Sequence, residues 1–301
     1  MLLDKTAPQR LPPWLRKSLE PGRGAESTDA LIHDLGLHTI CESGHCPNRN
    51  ECWSQKTATF MIMGDRCTRN CGYCAVEAGK PMPLEADEPA RVAEAVGRLG
   101  LAHVVVTSVT RDDLPDEGAA HFAETVRTLK ARFPDLIVEA LTPDFRRDPA
   151  RAVETFKDLP IDIFNHNIET VRRLHKRARP QGGYDLSLEL LRRMNEARPA
   201  LITKSGAMLG LGETREEILE LMDDLRAAGC RMLTLGQYLR SFEDGLAIER
   251  FVPPEEFEEY RQIGYNKGFS LVESGPFVRS SYHAKGSFEK LKEFLGQKQN
   301  A

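Results

Sequence analysis

Six of the chain's seven cysteines lie between residues 41 and 74, spaced Cys41-x4-Cys46-x5-Cys52 and then Cys67-x3-Cys71-x2-Cys74. Few features narrow a fold as much. Each thiolate triad must wrap a short loop around a metal centre, and soft thiolate ligands at such spacings select iron–sulfur clusters or zinc. The second triad carries an aromatic Tyr73 just before its last cysteine and does not match the paired CxxC units of a zinc finger. Three protein ligands on a four-iron cluster leave one iron open, as a catalytic metal keeps an open coordination position. The bland alternative is a structural metal knot.

After residue 57 the chain alternates strand-like and helix-like segments. Short apolar or β-branched runs predict strands near 57–64, 103–109, 137–142, 161–167, 201–209, 232–238 and 270–273. Helices are expected near 88–99, 117–132, 185–197, 214–228 and 254–267. The clearest runs from Thr214, where Thr214 and Glu217 form a capping box, Ile218, Leu221, Met222 and Leu225 make an apolar stripe, and Gly229 closes the end. Such alternation means an α/β fold with a parallel sheet, and six units predict a partial (β/α)6 barrel with active groups at the strand C-terminal ends. The Cys67–Cys74 loop follows the first strand, as that rule requires. Residues 1–56 read as an N-terminal extension carrying the first triad, 57–275 as the partial barrel, and 276–301 as a C-terminal segment.

Composition fits one main domain, since 301 residues are near the upper limit for a single hydrophobic core. A formal net charge of -4 argues against a nucleic-acid partner bound by bulk electrostatics. The N-terminal stretch MLLDKTAPQRLPPWLRKSL has no apolar h-region, and no long apolar run follows, so neither a targeting peptide nor a membrane partner is expected. Seven cysteines are too few for a disulfide scaffold, and cluster thiolates need a reducing compartment, so a cytoplasmic location is expected. Cys230, outside both triads, reads as a small buried hydrophobe.

The spacing of Cys67, Cys71 and Cys74 resembles that of the radical S-adenosylmethionine enzymes. There, the resemblance implies, the open iron chelates S-adenosylmethionine, and one electron cleaves the sulfonium to give a 5′-deoxyadenosyl radical for unactivated C–H bonds. The longer run from Cys41 to Pro81, with TSVTRDDLPDEGA, FNHNIETV, TKSGAMLGLGE, LTLGQYLR and SGPFVRSSYHA, resembles the lipoyl synthases from about residue 11 to residue 285. That resemblance implies a sulfurtransferase with a fold of the radical S-adenosylmethionine type and two 4Fe-4S clusters. An auxiliary cluster on Cys41, Cys46 and Cys52 would take Ser281 of the RSSY motif, rather than Ser280, as its fourth ligand. Read without the motif, Ser281 is a turn or cap hydroxyl. The reaction implied inserts sulfur from the auxiliary cluster at C6 and C8 of a protein-bound octanoyl group. Implied partners are octanoylated carriers, namely the lipoyl domains of 2-oxoacid dehydrogenases and the glycine cleavage H protein, with a reductant such as ferredoxin or flavodoxin and an iron–sulfur carrier.

By the same resemblance Gly210, Gly212 and Glu213 let backbone approach the S-adenosylmethionine adenosine, and Asn165, Asn167 and Glu169 bond its ribose hydroxyls or methionyl amine. The local alternatives are a strand-to-helix turn for the first set and loop-holding bonds for the second. Arg111, Asp112 and Asp113 are expected at the same mouth, as pocket groups or a plain turn. The basic run from Arg172 to Arg179 reads as a solvated helix face or a steering patch for an acidic carrier. Two stretches depart from the family's usual wording, Ser43–His45 and Leu239–Ile248, and both are expected on a loop surface.

Overall fold

In the computed structural model, residues 10–17, 24–55 and 58–281 are described. Tyr282 and His283 of the C-terminal motif lie outside that range, as does residue 57 of the expected first strand.

Seven parallel strands form one sheet: β1 (Thr59–Ile62), β2 (His103–Ser108), β3 (Ile137–Leu141), β4 (Ile163–Asn165), β5 (Ile202–Leu209), β6 (Met232–Gln237) and β7 (Leu271–Gly275). Their spatial order is their chain order, with β1 and β7 as the two edges, so the barrel is open. Ahead of it lie α1 (Ala25–Asp34), α2 (Ile40–Ser43) and α3 (Arg49–Ser54). The crossovers carry α4 (Glu88–Leu99), α5 (Ala119–Arg132), α6 (Pro149–Phe156), α7 (Arg172–Ala178), α8 (Tyr184–Ala197), α9 (Arg215–Ala227) and α10 (Pro254–Asn266). The capping box of α9 forms as its sequence predicts, with the Thr214 N–H donating to Glu217 Oε2 at 2.8 Å and the Glu217 N–H donating to Thr214 Oγ1 at 3.3 Å.

The main apolar core lies between the sheet and its outer helices, where Phe122, Phe156 and Phe164 meet edge to face at 5.3 and 5.8 Å. Such pairs add about 0.5–1.5 kcal/mol each beyond their burial. The inner face is layered by the two-residue period of a strand. Ile163, Ile202, Met232 and Leu271, beside Ile137, close the end where the strands begin. Two residues further on stand Glu139, Asn165 and Lys204, all buried, and two further still Leu141, Gly206 and Gly236 line an internal cavity. The cavity therefore opens at the strand C-terminal ends.

Candidate functional site

One cavity of about 870 Å³ receives both cysteine sets. Cys67, Cys71 and Cys74 line it from the loop after β1, Cys41 and Cys46 from α2 and the turn beyond it, and Ser280 and Ser281 from the C-terminal segment. Cys52 stands just behind, packed with Cys41 and Trp53.

The second triad is held by ions. Arg69, between Cys67 and Cys71, is buried and donates to both Asp112 oxygens at 2.9 and 2.8 Å, while its other terminal nitrogen lies 2.7 Å from Asp144. Asp144, fully buried, also faces Arg179 at 3.4 Å. Burial works to raise the Asp112 carboxyl, and the hydrogen bonds and charge of Arg69 overcome it, holding it down to about 2. Thr68 Oγ1 donates to the Thr110 carbonyl, and the N–H groups of Arg69 and Thr110 donate to the Cys67 sulfur at 3.4 and 3.3 Å. Asp112 thus anchors the cysteine loop, whereas Arg111 is occupied by Asp113 and the Met63 carbonyl.

The first triad is held differently, by short helices and mostly neutral donors, with its ion pairs, Lys17–Glu51 and Arg49–Glu42, partly exposed rather than buried. Thr59, at the start of β1, faces Cys41 with both its backbone and its hydroxyl, and the same hydroxyl donates to Ser281 Oγ at 2.8 Å. The Trp53 indole N–H faces the Cys41 sulfur and has no oxygen or nitrogen acceptor among the described residues. His45 Nδ1 lies 2.9 Å from the Ser241 carbonyl, and Asn48 Nδ2 donates to the Phe277 carbonyl at 2.8 Å, tying this extension to two later loops.

These surroundings suit a metal cluster. Burial, then the neighbouring Cys46, pushes the Cys41 thiol up to about 11, and burial followed by Cys41 and Cys46 pushes Cys52 up to about 12. In the second triad burial lifts Cys74 to about 12 and raises Cys71, with Cys67 and Glu169 adding to it. Three dry, mutually repelling thiols are poor as bare thiolates and good as ligands to a cation that neutralises them. The indole and amide N–H groups aimed at sulfur complete the fit. Cys230, by contrast, is fully buried and donates to the Met232 carbonyl, as its sequence setting predicts.

The remaining sequence-predicted residues divide. Asn167 and Glu169 line the cavity, Glu169 with a left-handed φ of 70° that bridges Gly206 and Met208 by its backbone. Burial raises the Glu169 carboxyl beside Arg179, Asn167 and Tyr73. Asn165 points beneath them, its amide donating to Glu139 at 2.6 Å. Gly210, Gly212 and Glu213 stand outside the lining, where the Glu213 carboxylate accepts from the Gly210 and Leu211 N–H groups at 2.6 and 2.9 Å and closes the turn. The two family-divergent stretches are not remote surface. Gly44, His45, Arg240, Ser241 and Ile248 all line the cavity, and the Leu246 N–H donates to the Gly72 carbonyl inside the cysteine loop. Arg179 leaves the expected solvated face and is buried in the ion network, while Arg172 and Arg173 pair outside with Asp185 and Glu217. Sequence reasoning missed Arg69, Asp144, Thr59, Lys204 and Glu139. For Lys204 and Glu139 the signal was present, as charges at inward positions of apolar parallel strands.

Residues 61–225 match the model of the radical SAM superfamily. The chain is 52% identical to the lipoyl synthase of Caldanaerobacter subterraneus subsp. tengcongensis, over 91% of this chain and 96% of that protein. It is 53% identical to the lipoyl synthase of Symbiobacterium thermophilum, over 91% of this chain and 86% of the other. Among solved structures it resembles the FeFe-hydrogenase maturase HydG of Carboxydothermus hydrogenoformans, with a TM-score of 0.57 at 15% identity, covering 88% of this chain and 69% of that one. That likeness speaks to the fold alone. Identity of this order across nearly the whole length, with thiols from both triads opening on one cavity, has a single reading: the chain belongs to the lipoyl synthase family of the radical SAM superfamily.

Proposed function

We propose that Cys67, Cys71 and Cys74 hold the catalytic 4Fe-4S cluster and Cys41, Cys46, Cys52 and Ser281 the auxiliary one, within an enzyme that inserts sulfur at C6 and C8 of a protein-bound octanoyl group. The observation that carries this assignment is the single cavity onto which five of the six cysteines and Ser281 open. The clusters, when bound, supply an electron for cleaving S-adenosylmethionine and sulfide for the product.

The chain's own residues do the rest. Ile40, Met61, Val109, Leu141 and Phe251 give the cavity apolar walls, which accept an extended acyl chain and exclude water. Its volume lies within the usual range for ligand pockets, about 300–1,000 Å³. Asn167 and Glu169 supply the polar contacts to S-adenosylmethionine, whose cationic groups suit a carboxylate held beside Arg179 and Tyr73. Asn165, Gly210, Gly212 and Glu213 serve that wall from behind, Glu213 by fixing the turn after β5. A serine ligand in place of a fourth cysteine gives the auxiliary cluster a harder, less suitable donor at one iron, the corner easiest to release when sulfide must leave.

The extension (1–56), barrel (57–275) and C-terminal segment (276–301) form the functional units of this reading. Its partners are octanoylated lipoyl domains and glycine cleavage H protein, a reductant such as ferredoxin or flavodoxin, and an iron–sulfur carrier, all met in the cytoplasm. No described helix is long and apolar enough to cross a membrane. The test is anaerobic turnover of an octanoyl-lysine carrier peptide with S-adenosylmethionine and a reductant. Lipoyl product is expected from the peptide and little from free octanoate. Equal conversion of free octanoate would sink the protein-bound substrate.

A further inference from the structure

The layer beneath the cavity contains an ion pair that nothing in the cluster chemistry requires. Lys204 on β5 and Glu139 on β3 are 2% and 0% exposed. Lys204 Nζ donates to Glu139 Oε1 at 2.8 Å and Oε2 at 3.1 Å, and its remaining donor points upward to the Ser280 carbonyl at 2.5 Å. Asn165 and His103 flank the carboxylate, at 2.6 Å from Oε1 and 3.7 Å from Oε2. A buried ammonium is costly unless every donor is used, and here one is used only while residue 280 stays seated. The seat has a second wall, for Asn167 Nδ2 donates to Ser280 Oγ at 2.7 Å. The approach is close enough to demand glycine on two strands. A Cβ on Gly236 would lie 2.1 Å from the Val278 carbonyl, and one on Gly206 would crowd Thr234, Asn167 and Ser280. Immediately beyond the pinned residue, Ser281 receives the Thr59 hydroxyl that also faces Cys41.

We propose that Lys204, held by Glu139, is a positioning residue for the Ser281 hydroxyl. The ammonium clamps the peptide at Ser280 from beneath the cavity, so the next side chain reaches the first triad in one orientation. This rests on the reading of Ser281 as an auxiliary-cluster ligand.

The test uses full-length holoenzyme loaded with isotopically enriched iron. It reads the Mössbauer spectrum and the rate at which a ferrous chelator strips iron. Replacing both partners (Lys204→Met with Glu139→Gln) avoids a lone buried charge. It should speed iron loss from the auxiliary cluster roughly tenfold, a typical loss for a residue supporting a metal ligand, and reproduce the spectral change of Ser281→Ala. Lys204→Gln, which keeps a donor without the charge, should fall between. In the Ser281→Ala background the double replacement should add nothing, because the group it positions is gone. A double variant with parental spectrum and stripping rate overturns the proposal, and so does an equal acceleration with or without Ser281, which would mark general loosening. If Ser281→Ala itself leaves the spectrum unchanged, the ligand assignment fails instead.

Discussion

The two cysteine loops share a cavity but are built on opposite principles. The Cys67–Cys74 loop is riveted by buried ions: one guanidinium, Arg69, meets Asp112 and Asp144, and Asp144 meets Arg179. The Cys41–Cys52 segment runs through helices of four and six residues, held by an indole, a threonine, a few backbone contacts and partly exposed ion pairs such as Lys17–Glu51, and it is tied to the C-terminal segment through Asn48 and the Phe277 carbonyl. Rigid charge networks suit a centre that must survive every turnover. A site completed by a strap, as the proposed Ser281 ligation makes the first triad's, suits a centre that must be emptied and refilled.

The sharpest way to break this contrast is to remove the ligands themselves. Cys67→Ala, Cys71→Ala or Cys74→Ala should reduce S-adenosylmethionine cleavage to background, whereas Cys41→Ala, Cys46→Ala or Cys52→Ala should leave cleavage and stop lipoyl formation. Both products are measured by mass spectrometry in one reaction. Lipoyl product from any variant of the first triad would refute the division of labour.

Next in size is the rivet. Arg69→Met leaves the buried Asp144 with Arg179 alone and Asp112 with Thr68 and Arg146, and removing one partner of a buried pair costs up to about 3–5 kcal/mol. Urea melts should show that loss, and the catalytic cluster should fail to load while the auxiliary one still does. Loss of both together would mean that the loops are not independent.

The pH dependence of the metal-free protein sharpens the same point. Asp112, held to about 2, stabilises the loop fully above the ordinary carboxylate value and releases it as pH falls toward 2. Hydrogen exchange at residues 68–72 should therefore accelerate between roughly pH 4 and 2. Unchanged protection down to pH 2 would remove the ion network from the account.

Smaller effects belong to the strap. Ser281→Cys should keep the cluster assembled but slow sulfur transfer, on the order of tenfold, while Ser280→Ala should do less. Parental rates for Ser281→Cys would argue against the labile corner. Gly236→Ala, which forces Val278 aside, should cost about 1–3 kcal/mol and expose the segment to protease without affecting cleavage of S-adenosylmethionine. Unaltered proteolysis would show that the strap tolerates displacement.

Much of this was legible from residue order because it is local. The seven strands announce themselves by apolar runs, α9 by its capping box, and both triads by spacing alone. What escaped were relations between distant residues. Arg69 carries no local signal of its role, because its partner Asp144 lies 75 positions later. Gly210, Gly212 and Glu213 carry family wording, yet their visible work is to close a turn behind the cavity wall. Conversely Leu239–Ile248, judged peripheral, packs on the cysteine loop, because a loop at a barrel mouth can fold inward without any apolar periodicity to betray it. Short helices such as α2 and α6 are likewise below the length at which periodicity speaks.

The bond between Thr59 and Ser281 spans 222 positions of sequence. All three ligands of the catalytic loop are made within eight consecutive residues, 67–74, early in synthesis. On the proposed assignment the auxiliary set is complete only when residue 281 has been made and has crossed the sheet to meet Thr59. Contacts so remote in sequence form late, after the local units that carry them. On the proposed assignment maturation would therefore have a built-in order, with the electron-handling centre furnished before the sulfur store is sealed.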